Sequence, residues 1–389
     1  MIRVFEIIVS LIIVGLIAVL VAVFLPSSGH IERVTEVSNP LRQVYDTIDG
    51  FGRYPEYSAL RTYDPAVKMT RSGPTEGVGA KVAWETSYQQ VGNGSLTITE
   101  VADDSQVKMA VENDWMGTNK TFTMDLEPGS KGKTVRVKMS YDVDYGWNLI
   151  WRFAGLYIHG VPDSLLQSNL ANLSGMMAGF PNVDYSDLPI RIVDMTAKPI
   201  LFVSTKAPRT LEDVDTASEA AKTQIQAIME KAGLTAVGPP MTITTNWGDE
   251  AYTFDYAIPV DKATFTLDGK ELTIAGIDPD VVRSTIEDDE PAAEPTPPVI
   301  GEKDRKGYLV LSDNVRATQS YAGKALYAEY TGSPAALPLL RLKERAYAET
   351  HGYKYSESGQ GRFIDESLSA PEDIYLGNGQ YRVYLPVLP

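Results

Sequence analysis

The side chains with the most versatile chemistry are scarce in this chain, and the scarcity narrows the reactions open to it. Cysteine is absent, which excludes disulfides, thiolate metal sites and cysteine nucleophiles. The three histidines, His30, His159 and His351, lie far apart, without His-x-x-x-His or similar ligand spacing. A transition-metal site would need carboxylates alone, so neither a metal nor a cofactor is expected. No Gly-x-Ser-x-Gly elbow supports a serine triad. Acid–base work would fall to Asp, Glu and Tyr. These residues gather with Arg in strand-like segments of the C-terminal half: Phe254-Asp255-Tyr256, Tyr327-Ala328-Glu329 and Tyr381-Arg382-Val383-Tyr384.

Those segments belong to an internal repeat. One half runs from Lys198-Pro199-Ile200-Leu201-Phe202-Val203 to Tyr256-Ala257-Ile258-Pro259-Val260. The other runs from Lys324-Ala325-Leu326-Tyr327-Ala328-Glu329 to Val383-Tyr384-Leu385-Pro386-Val387. The opening Lys and the closing Pro are 61 residues apart in one half and 62 in the other. Each half reads strand, helix, two strands. In the first helix Val214, Ala217, Ala221, Ile225, Ile228 and Ala232 recur at three- and four-residue spacings, giving one buried face. It stops at Lys231-Ala232-Gly233, a cationic last turn followed by a Gly. The second helix lies between Ser333-Pro334 and Gly352. Two such halves pack about a pseudo-twofold axis and leave a groove between them. Asp255, Tyr327, Glu329, Arg382 and Tyr384 are the ligand-binding candidates in it. Solvated strand charges are the competing reading for Asp255 and Arg382.

The stretch Gly323-Lys324-Ala325-Leu326-Tyr327-Ala328-Glu329-Tyr330-Thr331-Gly332, the closing Tyr381–Val387 strand and Phe254–Val260 resemble the GyrI-like, or AraC-type effector-binding, family. Coverage is about 190–389, less an insertion. The resemblance implies a central groove for small organic molecules, often cationic or aromatic, with an acidic residue in it. One position departs from the pattern. The family often carries Glu two residues before the Tyr of its closing Tyr-x-Pro strand, and here that position is Arg382. Its repeat partner, Asp255, stays acidic. The change puts in doubt cation binding and the hydrolytic role of some members. It favours an anionic ligand, or a pairing of Arg382 with Asp255 across the axis. No helix-turn-helix region precedes this domain, so the family's DNA-linked output is missing. Between the halves, residues 284–307 are acidic, Pro-rich and almost free of large apolar side chains, which fits a solvated spacer.

Upstream, Ile31-Glu32-Arg33-Val34-Thr35-Glu36-Val37 alternates as a half-buried strand does. Ser38-Asn39-Pro40 then starts a short helix with Leu41, Val44, Tyr45 and Ile48 at helical spacing. Period-two segments follow at 81–85, 95–101, 106–111, 121–126 and 134–141, separated by turn residues, which reads as an antiparallel meander. A helical segment runs roughly from Leu149 to Met177, interrupted around Gly160-Val161-Pro162. This order, with Pro40–Ile48, Arg53-Tyr54-Pro55-Glu56-Tyr57, Gly77–Trp84 and the Leu96–Val101 strand, resembles the START-like polyketide-cyclase (SRPBCC) superfamily over most of 30–180. The resemblance implies a helix-grip fold whose long helix closes a curved sheet over an apolar cavity. It implies binding of a small hydrophobic molecule but no particular catalysis. Trp84, Trp115, Tyr141, Tyr145 and Trp147 are then cavity or rim candidates. Ordinary packing competes, since aromatics favour strands anyway.

The first residues concern location. Ile7 to Leu25 is apolar apart from Ser10. Nineteen helical residues reach roughly 28 Å, about the hydrocarbon thickness of a bilayer. A cleaved signal peptide competes, but its apolar region is usually about 7–15 residues and ends in a small-x-small site. Here the run ends in Phe24-Leu25-Pro26-Ser27-Ser28, which favours a retained anchor. Arg3 before the run keeps the short N-tail inside and sends the rest outward, to the periplasm in a bacterium. The net charge of −16 argues against nucleic acid and against a domain lying on anionic lipid. The bland reading of that charge is solubility.

The sequence therefore predicts an α+β protein: a transmembrane anchor at 1–28, a helix-grip domain at 29–185 and a repeated effector-binding domain at 186–389. The expected function is membrane-anchored binding of a small hydrophobic or amphipathic molecule, at the bacterial inner membrane with periplasmic domains. A cyclase or hydrolase acting on an aromatic or lipid-like substrate is the alternative enzyme, and an assembly protein without ligand is the third reading. Alkaline phosphatase fused to the C-terminus should be active in cells. An inactive fusion in a stably expressed protein would reverse the orientation.

Overall fold

The computed structural model describes residues 2–129, 134–248, 250–277, 299–355 and 362–388. It is α+β, with antiparallel sheets and one apolar N-terminal helix. That helix, α1 (Ile2–Phe24), contains a segment from Val4 to Phe24 long and apolar enough to cross a membrane. The chain divides into two compact units: Met1–Asp184 with Glu349–Gly352, and Tyr185–Ala348 with Tyr353–Pro389.

In the first unit, β1 (Ser28–Val37) is followed by three short helices, α2 (Leu41–Ile48), α3 (Tyr54–Tyr57) and α4 (Leu60–Tyr63). Then come β2 (Lys68–Ser72), β3 (Lys81–Glu85), β4 (Gly94–Ala102), β5 (Gln106–Asn113), β6 (Thr118–Pro128) and β7 (Val135–Asp144). The seven strands order as β1-β7-β6-β5-β4-β3-β2, a meander that β1 extends by pairing with β7. The alternation dictates which face is buried. In β7, Val135, Val137, Met139, Tyr141 and Val143 turn inward, while Arg136, Lys138, Asp142 and Asp144 turn away from the core. After α5 (Leu149–Ala154) and a 3-10 turn, α6 (Val161–Met177) lies on the buried face with Leu166, Leu170 and Leu173. Burial of each such Leu contributes roughly 1.5–3 kcal/mol.

In the second unit, β8 (Arg191–Met195), β9 (Pro199–Pro208), α7 (Leu211–Ala232), β10 (Met241–Trp247) and β11 (Ala251–Pro259) come first. A hairpin, β12 (Thr264–Leu267) and β13 (Lys270–Thr273), follows. Its turn, Asp268-Gly269, has positive φ at both residues, the backbone that suits a two-residue hairpin. Then come β14 (Leu309–Val310), β15 (Val315–Gln319), β16 (Gly323–Gly332), α8 (Leu337–His351), β17 (Ile364–Ser367), α9 (Pro371–Tyr375) and β18 (Gly379–Pro386). Nine strands form one sheet in the order β14-β15-β9-β11-β10-β17-β18-β16-β8. Helix α7 stops where Gly233 adopts a left-handed φ of 62° and Leu234 N–H reaches the Met229 carbonyl at 2.9 Å. Strand β9 packs on both of its faces, so Ile200-Leu201-Phe202-Val203 is buried without alternation. Leu201 and Val203 face α7, while Ile200 and Phe202 face the other side.

The segment expected to be a spacer at 284–307 lies outside the described residues up to 298. Its end is hydrogen-bonded structure: Gly301 N–H reaches the Val310 carbonyl, and the Asp304 carboxylate accepts from Lys306 N, Tyr308 N and Arg316 Nε.

One buried carboxyl lies beneath the sheet. Glu344 on α8 is 0% exposed, and neither of its oxygens has a hydrogen-bond partner among the described residues. Its neighbour Arg341 is committed to Asp365 on β17 and to the Tyr252 hydroxyl. Burial, then the Asp365 charge, push the Glu344 carboxyl well above its ordinary range, against the pull of Arg341. The fold thus keeps a proton that the unfolded chain releases near pH 4.5. Stability should therefore fall as pH rises above that value, by about 1.4 kcal/mol per pH unit until the folded group ionises. Glu344→Gln should remove this slope. Melts across pH 4–8 check it: the variant should melt above the wild type at the alkaline end and with it at the acid end.

Candidate functional site

The second unit carries a groove of about 370 Å³ on the sheet face opposite α7 and α8. Beside Thr196, Lys198 and Ser320 from the adjoining connections, five strands supply its lining: β8, β10, β16, β17 and β18. Period-two geometry aims alternate residues of each at the groove. They are Arg191 and Val193 from β8, Met241 from β10, Tyr327 from β16, Ile364 and Glu366 from β17, and Arg382 and Tyr384 from β18. Register explains their grouping. Glu329 and Glu366 both stand directly across from Arg382, one on each neighbouring strand.

The polar centre follows from that register. Arg382 Nε lies 3.8 Å from Glu329 Oε1, and Arg382 Nη1 lies 3.7 Å from Glu366 Oε2. The Tyr384 hydroxyl donates to Glu366 Oε2 at 3.0 Å, and the Tyr327 hydroxyl donates to Glu329. Burial, then the Glu366 charge, raise the Tyr384 phenol above its ordinary range. Burial and the hydrogen bond to Glu329 raise that of Tyr327. Both rings therefore stay neutral and remain donors at physiological pH. Their centroids are 5.1 Å apart with planes tilted by 50°, and the Arg191 guanidinium stands 4.9 Å from the Tyr327 ring centroid. The result is two aromatic faces beside a carboxylate–guanidinium–carboxylate row.

Of the residues singled out in the sequence, Tyr327, Arg382 and Tyr384 line the groove, and Glu329 bonds to its wall. Asp255 does not pair with Arg382. It accepts from Ser204 Oγ at 2.6 Å and from Arg362 Nη1 at 3.1 Å, away from the groove lining. Arg382 prefers Glu329 and Glu366 because they are its cross-strand neighbours. In the first unit Tyr141 is buried core, 5.1 Å centroid to centroid from Phe122 and 5.8 Å from Trp115. Trp84 is buried and donates Nε1–H to the Gly92 carbonyl at 2.9 Å, and Trp115 donates to the Gln90 carbonyl at 3.1 Å. Tyr145 is buried, whereas Trp147 is exposed. Sequence reasoning passed over Glu366, Ile364, Met241 and Arg191. For the first three a signal was available in the strand expected just before each closing strand, since β10 precedes β11 and β17 precedes β18. Among the described residues, no three His, Asp or Glu side chains converge on a metal position.

No family model and no curated protein matches the chain. Solved structures resemble parts of it. A norcoclaurine synthase point mutant from Thalictrum flavum, in complex with a transition-state analogue, aligns over 39% of this chain and 94% of its own, with 13% identity and a TM-score of 0.32. The protein XoxI from Bacillus cereus covers 39% of this chain and 96% of its own at 16% identity, TM-score 0.29. The C-terminal domain of EcmrR covers 52% and 98% at 10% identity, TM-score 0.34. These likenesses carry nothing about chemistry.

Removing the guanidinium from the row leaves Glu329 and Glu366 facing each other across β18. Arg382→Gln should lower stability at pH 7 by about 1 kcal/mol, a loss held down because the Arg382 side chain is 40% exposed. Salt screens the repulsion between the two carboxylates, so the loss should shrink at about 1 M salt. Melts at low and high salt check this, and an equal loss at both would assign the effect to shape rather than charge.

Proposed function

We propose that this chain is a membrane-anchored small-molecule-binding protein whose ligand occupies the groove of the second unit. The observation that carries the reading is the groove itself: about 370 Å³, walled by Tyr327 and Tyr384 and floored by Met241 and Ile364. That volume lies in the range of ligand pockets, which are mostly apolar with a few placed polar groups. Two ring faces suit a planar apolar portion, and the Glu329–Arg382–Glu366 row suits a polar end. The ligand is then a small amphipathic molecule. The anionic preference first drawn from Arg382 alone weakens, because two carboxylates face that cation.

The wider reading rests on the architecture. We assign 1–28 as a retained anchor, 29–185 as a START-like helix-grip domain and 186–389 as a GyrI-like effector-binding domain. Outward from the central β10–β17 pair, the sheet runs β11, β9 on one side and β18, β16 on the other, with α7 and α8 following β9 and β16 in the chain. This symmetry supports a duplicated strand–helix–strand–strand unit about a pseudo-twofold axis. Single-pass topology with both domains in the periplasm is part of the same proposal, supported by the apolar Val4–Phe24 helix and by Arg3 ahead of the apolar run.

Native mass spectrometry of the full chain, released from its host membrane in mild detergent, tests the proposal. A small organic adduct should accompany the wild type. Tyr327→Ala combined with Tyr384→Ala should reduce its occupancy in line with about tenfold weaker binding, since each aromatic contact is worth roughly 0.5–1.5 kcal/mol. An adduct held equally by both proteins would place the ligand elsewhere.

A further inference from the structure

The first unit exposes large apolar side chains just where α1 ends. Trp147 is 82% exposed, Ile150 71% and Tyr157 78%, all within α5 and its flanking turns. This stretch is bound to the end of α1. Arg152, itself buried, donates from Nη1 to the carbonyl of Val23 at 2.9 Å and of Leu25 at 3.3 Å, while its Nε donates to the Gly146 carbonyl at 2.8 Å. A guanidinium there satisfies carbonyls that the last helical turn leaves open and sits at the negative end of the helix dipole. The Trp147 ring lies 5.0 Å from the same guanidinium. Tyr145 N–H and Gly146 N–H both reach the Ser27 carbonyl, at 2.8 and 3.0 Å. A Cβ on Gly155 would meet the Tyr145 ring at 2.9 Å, so the 3-10 turn is seated closely on the residue that follows β7.

We infer that the Trp147–Tyr157 stretch is a second membrane contact, lying in the headgroup layer of the leaflet from which α1 emerges. The inference rests on the reading of α1 as a retained anchor. If α1 spans the bilayer, its last turn at Phe24 lies at the lipid surface. Arg152 and the Ser27 carbonyl then hold α5 at that same level. Trp and Tyr, apolar in body and polar at one edge, are the side chains that favour this layer. The contact is apolar rather than basic, so the acidity of the chain does not oppose it on zwitterionic lipid. The anchor and the patch together fix how the first unit stands on the membrane.

The chain has no cysteine, so single cysteines can be placed and spin-labelled without background. We would reconstitute full-length Leu16→Cys, Ile150→Cys, Tyr157→Cys and Val237→Cys in phosphatidylcholine vesicles and measure label accessibility to oxygen and to a water-soluble nickel chelate. Leu16 reports the anchor, and Val237, an exposed second-unit residue, reports water. Labels at 150 and 157 should show an oxygen-to-nickel ratio several-fold above that at 237 and below that at 16. If the label at 16 reads lipid while those at 150 and 157 match 237, the second contact is wrong and the anchor stands. If the label at 16 reads water, the anchor reading itself fails. Labels at 150 and 157 shielded from both reagents and dipolar-broadened would assign the patch to a second copy of the chain and overturn the inference.

Discussion

The pairing of β10 with β17 is the contact on which the second unit depends. It joins two half-sheets into the nine-strand sheet and is short: Met241 opposite Glu366, Thr242 opposite Asp365, Ile243 opposite Ile364. Thr244 N–H to the Phe363 carbonyl and Ser367 N–H to the Pro240 carbonyl extend it. Backbone bonds net about 0.5–1.5 kcal/mol each, so a handful is a modest clasp. The apolar layer over it, with Met241, Ala257, Ile364 and Tyr384 buried together, does the larger share of the holding. Register matters as much as energy. A one-residue slip would carry Glu366 to the helix side and bring Asp365, the partner of Arg341, into the groove.

The same register determines what the groove offers. Arg382 taken alone suggests an anion site. Flanked on both sides by carboxylates, it serves instead to hold two acids apart at the centre of an aromatic cleft. The tyrosines reinforce this, because each gives its proton donor to one of those acids. A ligand entering the groove must compete with bonds already made.

The parts of the fold legible in the sequence were those set by local chemistry. Period-two alternation located the strands of the first unit except β2, an edge strand exposed apart from half-buried Met69 and so without an alternating core face. Pro40 and Gly233 marked where helices start and stop because proline and left-handed glycine act on their own backbone. The orders β9-α7-β10-β11 and β16-α8-β17-β18 are readable for the same reason. Asp268-Gly269 carries an equally local hairpin signal. The candidate site was harder. Tyr327, Tyr384 and Arg382 can be placed on their strands from the sequence, but Glu366 reaches Arg382 only through a partner strand fixed by tertiary pairing. Asp255 shows the converse: its partner Arg362 is far away in the chain and carries no local signal. Alternation also told which way Trp84 and Tyr141 face without telling whether they meet a void or packed side chains. Arg152 gave no signal, since its partners are carbonyls far away in the chain.

Only Leu25, Pro26 and Ser27 separate α1 from β1, and Arg152 braces the joint. Such a link has no slack. For an inserted α1, its tilt would become the tilt of the first unit. Helices tilt further in thin bilayers and stand straighter in thick ones. The angle at which this unit leans over the surface would then vary with lipid chain length, making its posture a readout of membrane thickness.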